Sequence, residues 1–491
     1  MENEEYSEEG RASHMSDYAI KARFRRYFIY PMLRPKTREL IAIVCCAVFL
    51  ATIYVYGFSQ AEVETAVISS DSFLLAIEEE PKVQEIVQSL NNNETVAGVL
   101  IICAARPAAI RNHLKQVLEL RTSHSEFPIT VSQDGNNNEV KESVIGLPKE
   151  KNVRFWRHER ETAVRSKTYQ YIAAHYKWAL DKMFKENSYE YVIVTEDDLD
   201  ISPDFFSYFA WARKVMEADP TLLCASAWND NGLPKLIDAN ANAKIWRTDF
   251  FPGLGWMLSR KLWYELSRDW PQSYWDDWLR GAEIRKNRSC LRPEIPRTSH
   301  NMALAGKGSS GGLFKSFLGS IRNNKEPVDF SLIPVEPLTQ KNFDNDISQA
   351  LKEAREIPYS EFKKFNFNPQ NSYRVVYNGT REWVDLAKYI GIMSDIRGGM
   401  PRTAYRCIVP VTHKDCRVYI IPRELDIDNI QGFAYDPDWD AMQRYLEFAT
   451  FYCKPSKYTG KCDPHSEEMI AWFKKKNQLK KLQGWGKLIV V

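Results

Sequence analysis

A β-branched run that ends in three consecutive acids constrains this chain most. Tyr191-Val192-Ile193-Val194 leads through Thr195 into Glu196-Asp197-Asp198. The run has the pattern of a buried strand. Ser202-Pro203-Asp204 then predicts a helix start, with a hydroxyl cap and proline at the first helical position. Carboxylates at the C-terminal end of a buried strand are costly unless a cation compensates them. In an open α/β sheet, that end of a strand is also where ligands bind. Hard oxygen donors suit Mn2+ or Mg2+, which commonly bridge to substrate phosphates. An isolated acidic triplet would read as a solvated turn. The strand before it and the aromatic helix after it, Phe205 to Ala218, instead predict a metal–diphosphate site.

The flanking segments alternate strand and helix. Val96 to Ala104 predicts a buried strand, Ile110 to Leu120 a helix, and Phe127 to Ser132 a second strand ending in Gln133-Asp134. Val153 to Trp156 is a third strand, and Ser166 to Glu186 an amphipathic helix with Tyr169, Tyr176 and Trp178 on one face. This alternation predicts a doubly wound α/β domain with a mostly parallel sheet. Arg106 and Asp134 then fall on the same sheet edge as the acids. After Pro327, the apolar segments Ser372 to Tyr377 and Arg417 to Ile421 predict a smaller β-containing region.

The ends of the chain read differently. Leu40 to Phe58 is nearly all apolar and uncharged, long enough to span a bilayer as a helix. Basic residues precede it (Arg34, Lys36, Arg38) and acidic ones follow (Glu62, Glu64), which predicts a cytosolic tail over 1–39 and a lumenal remainder. The run lies too far from the N-terminus for a cleaved signal peptide. Residues 59–95 read as a stem, and Asn93, Asn287 and Asn378 each open a glycosylation sequon. A formal net charge of +2 gives no basis for nucleic-acid binding.

Four blocks follow one another: EDDLDISPDFFSYF from Glu196, SAWNDNG from Ser226, TDFFPGLGWML from Thr248 and SYWDDWLR from Ser273. In this order and spacing they closely resemble the N-acetylglucosaminyltransferase I family, over about Val96 to Trp439. The resemblance implies a Golgi membrane enzyme of type II topology with a GT-A fold. It implies transfer from UDP-GlcNAc, with inversion, to the α-1,3-linked mannose of a high-mannose N-glycan. It divides the chain into a catalytic domain over 96–326, a smaller domain over 327–439 and an unmatched extension over 440–491.

Residue by residue, the resemblance makes Asp198 the contact to Mn2+, with Mg2+ as the alternative. Glu196 and Asp197 hold ribose and sugar hydroxyls, and Arg106, Asp134 and His175 line the uridine and ribose pocket. Leu254, between Gly253 and Gly255, forms a wall of the sugar pocket, and Trp275 packs by the sugar. Asp276 is the general base that takes the acceptor hydroxyl's proton. Gly308, Ser309 and Ser310, in a more glycine-rich loop than the family's, match its phosphate contacts. Cys224 and Cys290 match a family disulfide, whereas Ala104 and Gly135 stand where its other pair would be. Cys407 with Cys416, and Cys453 with Cys462, are expected as local bridges.

Two alternatives stay open from sequence. One is a transferase acting on O-linked mannose. The other is a membrane-tethered, non-catalytic sugar-binding protein, against which the intact acids Glu196, Asp197, Asp198 and Asp276 argue.

Overall fold

β1 (Gly98–Cys103) has no polar face and is buried along its length. Val99, Ile101 and Cys103 enter one core, and Leu100 and Ile102 the other, so both faces of the strand must be covered. The computed structural model describes residues 95–160, 168–305, 315–430, 453, 458–462 and 466–476. All of them belong to the second of two compact units, Pro81–Val491. Among the described residues no helix is long and apolar enough to cross a membrane; the apolar run 40–58 lies outside them.

In chain order come α1 (Pro107–Leu120), β2 (Ile129–Asp134), α2 (Asn138–Ile145), β3 (Val153–His158), α3 (Thr168–Asp181) and β4 (Tyr191–Glu196). The strands β3, β2, β1 and β4 pair in that order, all parallel. On one side α1 and α2 bury Ile110, Leu114, Val140 and Val144. On the other, α3 buries Ala173, Tyr176 and Leu180.

Beyond β4 the expectation of a mostly parallel sheet is corrected. After α4 (Phe205–Ala218) come β6 (Leu222–Ser226), β7 (Ile245–Thr248), β8 (Trp256–Ser259), α5 (Arg260–Leu266), α6 (Trp275–Arg280) and β9 (Ser289–Pro293). β8 runs antiparallel to both β4 and β6, β6 is parallel to β9, and β9 is antiparallel to β7. The sheet is mixed. None of the antiparallel pairs, β4 with β8, β6 with β8 and β7 with β9, joins strands consecutive in sequence, so their direction is set by packing rather than by a connecting loop. β5 (Leu199–Ile201), immediately after the acids, pairs with β10 (Thr298–His300) in a separate ribbon that nothing in the sequence signalled.

The expected Ser202 cap is also corrected. Asp204 occupies the N-cap of α4, without a side-chain cap bond. Ser202 Oγ donates to Asp204 Oδ1 at 2.7 Å, while Asp204 Oδ2 accepts from Arg297 and Asn324 at 3.0 and 3.1 Å. A buried carboxylate facing an arginine claims the hydroxyl that a helix start would otherwise use.

The later region contains α7 (Gln340–Glu353), β11 (Arg355–Pro358), β12 (Tyr373–Tyr377), α8 (Gly379–Ile390), the short strands β13 (Ile396–Arg397) and β14 (Met400–Pro401), β15 (Val409–His413) and β16 (Cys416–Pro422). Its main sheet has the order β11-β12-β16-β15. Phe250 and Leu236 lie in one core of this region and Trp246 in the other, so the catalytic sheet and the later region share apolar interior.

Cys224 and Cys290 face each other in register on β6 and β9 and are disulfide-bonded, with Cα atoms 4.6 Å apart. Cys453 and Cys462 form a second bridge. The bridge expected between Cys407 and Cys416 is absent, and both are buried thiols. The β15–β16 register explains this. His413 pairs with Cys416 at the turn, whereas Cys407 precedes Val409 at the hairpin's open end, where Val409 pairs with Ile420.

Candidate active site

The parallel half of the sheet delivers its polar residues to one edge. Ile102 of β1 is level with Ser132 on one side and Glu196 on the other, and Asp134 pairs with His158 on β3. Arg106 follows β1 directly. It donates to Asp198 Oδ2 at 2.6 Å and to Asp197 Oδ1. Burial alone would lower the guanidinium's pKa, but Asp198 and Asp197 hold it above its ordinary value. From α1, Asn112 and Gln116 donate to Asp200 Oδ1 at 3.1 and 2.6 Å, fixing the turn that carries the acids.

The three acids are not equivalent. Burial, reinforced by Asp198, pushes Glu196 up to about 7. Burial raises Asp197 to about 6, against the pull of Arg106. Asp198 is only 7% exposed, and its Oδ1 is buried without a hydrogen-bond partner. His300 Nδ1, on β10, lies 3.9 Å from that oxygen. A desolvated carboxylate oxygen left unpaired is expensive, so this atom fits a cation. Among the described residues no group of three or more metal-ligating side chains converges. One carboxylate, completed by substrate phosphates and water, is the shell these residues allow.

Beside the acids, Asp134 closes a second pocket. His158 Nδ1 lies 2.9 Å from its Oδ1, and Arg160 Nε and Nη2 donate to Oδ2 at 2.8 and 2.6 Å. Burial raises the Asp134 carboxyl, but the bonds from His158 and Arg160 hold it below the usual range. His175 stacks on His158 with ring centroids 5.3 Å apart, and its Nε2 lies 2.7 Å from Ser132 Oγ. Burial lowers the His175 imidazole to about 3, so it is neutral at physiological pH. The pocket offers a fixed carboxylate and two flat stacked rings, suited to a planar base.

In the loop before β8, Gly253, Leu254 and Gly255 all adopt positive φ, at 69°, 54° and 88°. For leucine this is an uncommon conformation. It is held because Thr298 Oγ1 donates to Leu254 O at 2.7 Å and Ser226 Oγ to Gly253 O at 2.9 Å. Gly255 also permits a close approach to β10, since a Cβ there would lie 2.7 Å from Thr298 Cγ2.

α6 carries the last set. Trp275 stacks against Tyr176, with centroids 4.4 Å apart, and the Tyr176 hydroxyl donates to Glu196 Oε1 at 2.8 Å. The helix is thereby tied to the acidic edge. Its two carboxylates differ: the Asp276 side chain is 41% exposed and Asp277's is 13% exposed. Arg280 Nη1 donates to both, and Asp277 also accepts from Arg397 Nη1.

Residues 65–439 match the GNT-I family. The chain belongs to that family. It is 38% identical over 322 residues to an Arabidopsis thaliana alpha-1,3-mannosyl-glycoprotein 2-beta-N-acetylglucosaminyltransferase, covering 64% of this chain and 71% of the relative. Two solved structures are far more distant. S. aureus TarS with UDP-GlcNAc is 11% identical over 52% of this chain and 65% of its own, with a TM-score of 0.30. A Pyrobaculum calidifontis mannosyltransferase with GDP-Man and Mn2+ is 17% identical over 40% of this chain and 57% of its own, at 0.28. At that distance the likeness says nothing about ligands.

In this GNT-I-family chain the structure brings together Arg106, Asp134, His175, Glu196, Asp197 and Asp198 at one edge. Leu254 and the pair Trp275 and Asp276 come from the loop and helix that follow. Gly308, Ser309 and Ser310 lie outside the described residues. Sequence reasoning passed over His158, Arg160, His300 and Arg397. The first two had a signal, because they follow a predicted strand just as Arg106 and Asp134 do. His300 and Arg397 had none.

Proposed function

We propose that this chain transfers N-acetylglucosamine from UDP-GlcNAc, in β-1,2 linkage, to the α-1,3-linked mannose of a high-mannose N-glycan, the step that starts hybrid and complex N-glycans. Membership of the GNT-I family and the Arabidopsis relative support the activity. One observation carries the mechanism: a buried, unpartnered oxygen on Asp198 and a half-exposed carboxylate on Asp276 lie on different elements, coupled through Glu196, Tyr176 and Trp275.

In this reading the catalytic part is a GT-A nucleotide-sugar domain. Asp134, His158, Arg160 and His175 hold the uracil and ribose, and Glu196 and Asp197 the ribose and sugar hydroxyls. Arg106 orients the two aspartates. Asp198 would hold a divalent cation, Mn2+ or Mg2+, whose charge compensates the leaving diphosphate. Leu254 and Trp275 wall the sugar, and Gly308 to Ser310 contact the phosphates. Asp276 removes the proton from the mannose hydroxyl as its oxygen bonds to the anomeric carbon. The bond to UDP breaks on the opposite face, which inverts the configuration.

The apolar run 40–58, with basic residues before it, supports a single-pass type II Golgi protein with the catalytic part lumenal. Protease protection of intact vesicles tests this, and cleavage of the catalytic part without detergent would contradict it. The activity is tested by supplying UDP-GlcNAc with a five-mannose N-glycan or an O-mannosyl peptide. Product on the N-glycan is expected; product only on the peptide, or none on either, would overturn the reading.

A further inference from the structure

Asp277 is linked to a part of the chain far away in sequence. Arg397 Nη1, on β13, lies 2.9 and 2.8 Å from Asp277 Oδ1 and Oδ2. Arg397 is itself held, its Nε donating to Asp395 Oδ2 at 2.9 Å. Asp395 in turn accepts from Arg402 Nε and Nη2, both at 2.9 Å, and Arg402 Nη1 reaches Asp230 in the WNDNG loop. Positive and negative groups alternate from Asp276 through Arg280, Asp277, Arg397, Asp395 and Arg402 to Asp230.

A second observation is steric and independent of charge. Gly398, at the β13–β14 turn, has φ 54°, and a Cβ there would overlap the carbonyl of Arg280, the last residue of α6. The hairpin therefore seats its backbone directly on the helix that carries Asp276. Arg280 and Arg402 also share the faces of Phe250, with guanidinium carbons 4.6 and 5.1 Å from the ring centroid. The turn and the ion pairs fix α6 from the same side.

We propose that the β13–β14 hairpin is a positioning device for the catalytic base: Arg397 engages Asp277 so that Asp276 alone is presented to the acceptor. This rests on the assignment of Asp276 as base. The physical reason is that the two carboxylates sit side by side and share Arg280. Without Arg397, Asp277 would be undercompensated and would draw Arg280 to itself. Asp276 would then face more negative charge with a weaker cationic partner, and both changes favour its protonated form. The Tyr176 hydroxyl from α3 also faces Asp276, with Glu196 bonded behind it, and Asp395 lies behind Arg397. Asp395 also loses Arg397 but keeps both bonds from Arg402, so the undercompensation falls mainly on Asp277.

The test uses the detergent-solubilised full-length chain, with UDP-GlcNAc and a five-mannose glycan, and pH profiles of kcat/KM. In Arg397→Gln the acid limb is expected to move up by about one pH unit, so kcat/KM at a given pH on that limb, below its midpoint, falls about tenfold. KM for UDP-GlcNAc should stay within about twofold, since uniform binding is untouched. Adding Asp277→Asn removes the undercompensated charge and should return the limb to its wild-type place. Asp277→Asn alone should move the limb the other way, because Arg397 then adds positive charge beside Asp276. That variant also serves if Arg397→Gln does not fold. A purely structural role for Arg397 would lower thermal stability and turnover at all pH values alike, with no rescue. An unmoved limb in folded Arg397→Gln, in Asp277→Asn, or a double variant no better than the single one would overturn the proposal. Asp276→Asn separates the two claims. If it keeps wild-type turnover, the base assignment fails; if it is inactive while the limb of folded Arg397→Gln stays at its wild-type place, only the positioning role fails.

Discussion

Asp276 and Asp277 occupy the same helical turn and differ in what they touch. Asp277 is clamped by Arg280 and Arg397, and Asp276 keeps one partner and is half-exposed. Asp276→Asn should therefore lower kcat about a hundred- to ten-thousand-fold, the usual cost of losing a general base, with UDP-GlcNAc affinity by calorimetry unchanged. If Asp277→Asn produced that loss and Asp276→Asn did not, the base would be the wrong carboxylate. Asp198→Ala should abolish the Mn2+ dependence of UDP binding, because it removes the buried unpartnered oxygen. UDP affinity that still rises with Mn2+ in that variant would contradict the metal assignment. At this scale, motif and strand order made the acids, Asp134 and the WDDW pair legible in the sequence. What distinguishes neighbouring carboxylates was not legible, since it depends on Arg397, which arrives only through the fold. His300 beside Asp198 was hidden for the same reason.

The strands before the acids were readable because each is a short apolar run closed by polar residues, buried on both faces. The later half of the sheet was not. β8 inserts between β4 and β6 although it follows β7 in sequence, a choice set by packing rather than by any local pattern. Ser202 misled for a related reason, since its hydroxyl goes to a buried Asp204 that also faces Arg297. The glycine-flanked loop before β8 did carry a usable signal, and it supports a prediction. Gly255→Ala meets both a φ of 88° and a 2.7 Å approach to Thr298 Cγ2, so it should cost about 1–3 kcal/mol in denaturant unfolding. Adding Thr298→Ser removes that methyl and should recover part of the loss. No loss in the single variant would mean that β10 does not hold the loop as described.

Across the whole molecule, the arginine-paired carboxylates tie the catalytic sheet to the later region. Asp277 and Asp395 are raised by burial, but Arg280 and Arg397 for the first, and Arg402 and Arg397 for the second, bring both below the usual range. Their folded pKa values lie below the unfolded ones. The stability they contribute is thus complete above the ordinary carboxylate pKa and is lost as pH falls through the folded values. Thermal midpoints should drop as pH falls from about 5 towards 3, below the ordinary carboxylate range, and the drop should be smaller in Arg397→Gln. An equal drop in both proteins would place the acid sensitivity elsewhere. We propose that this GNT-I-family chain performs one direct displacement, with a single base and no covalent intermediate. The anomeric configuration of its product, read from the proton coupling of the transferred sugar in NMR, tests this most directly. β-Linked N-acetylglucosamine is expected from the α-linked donor; an α-linked product would rule out a single displacement.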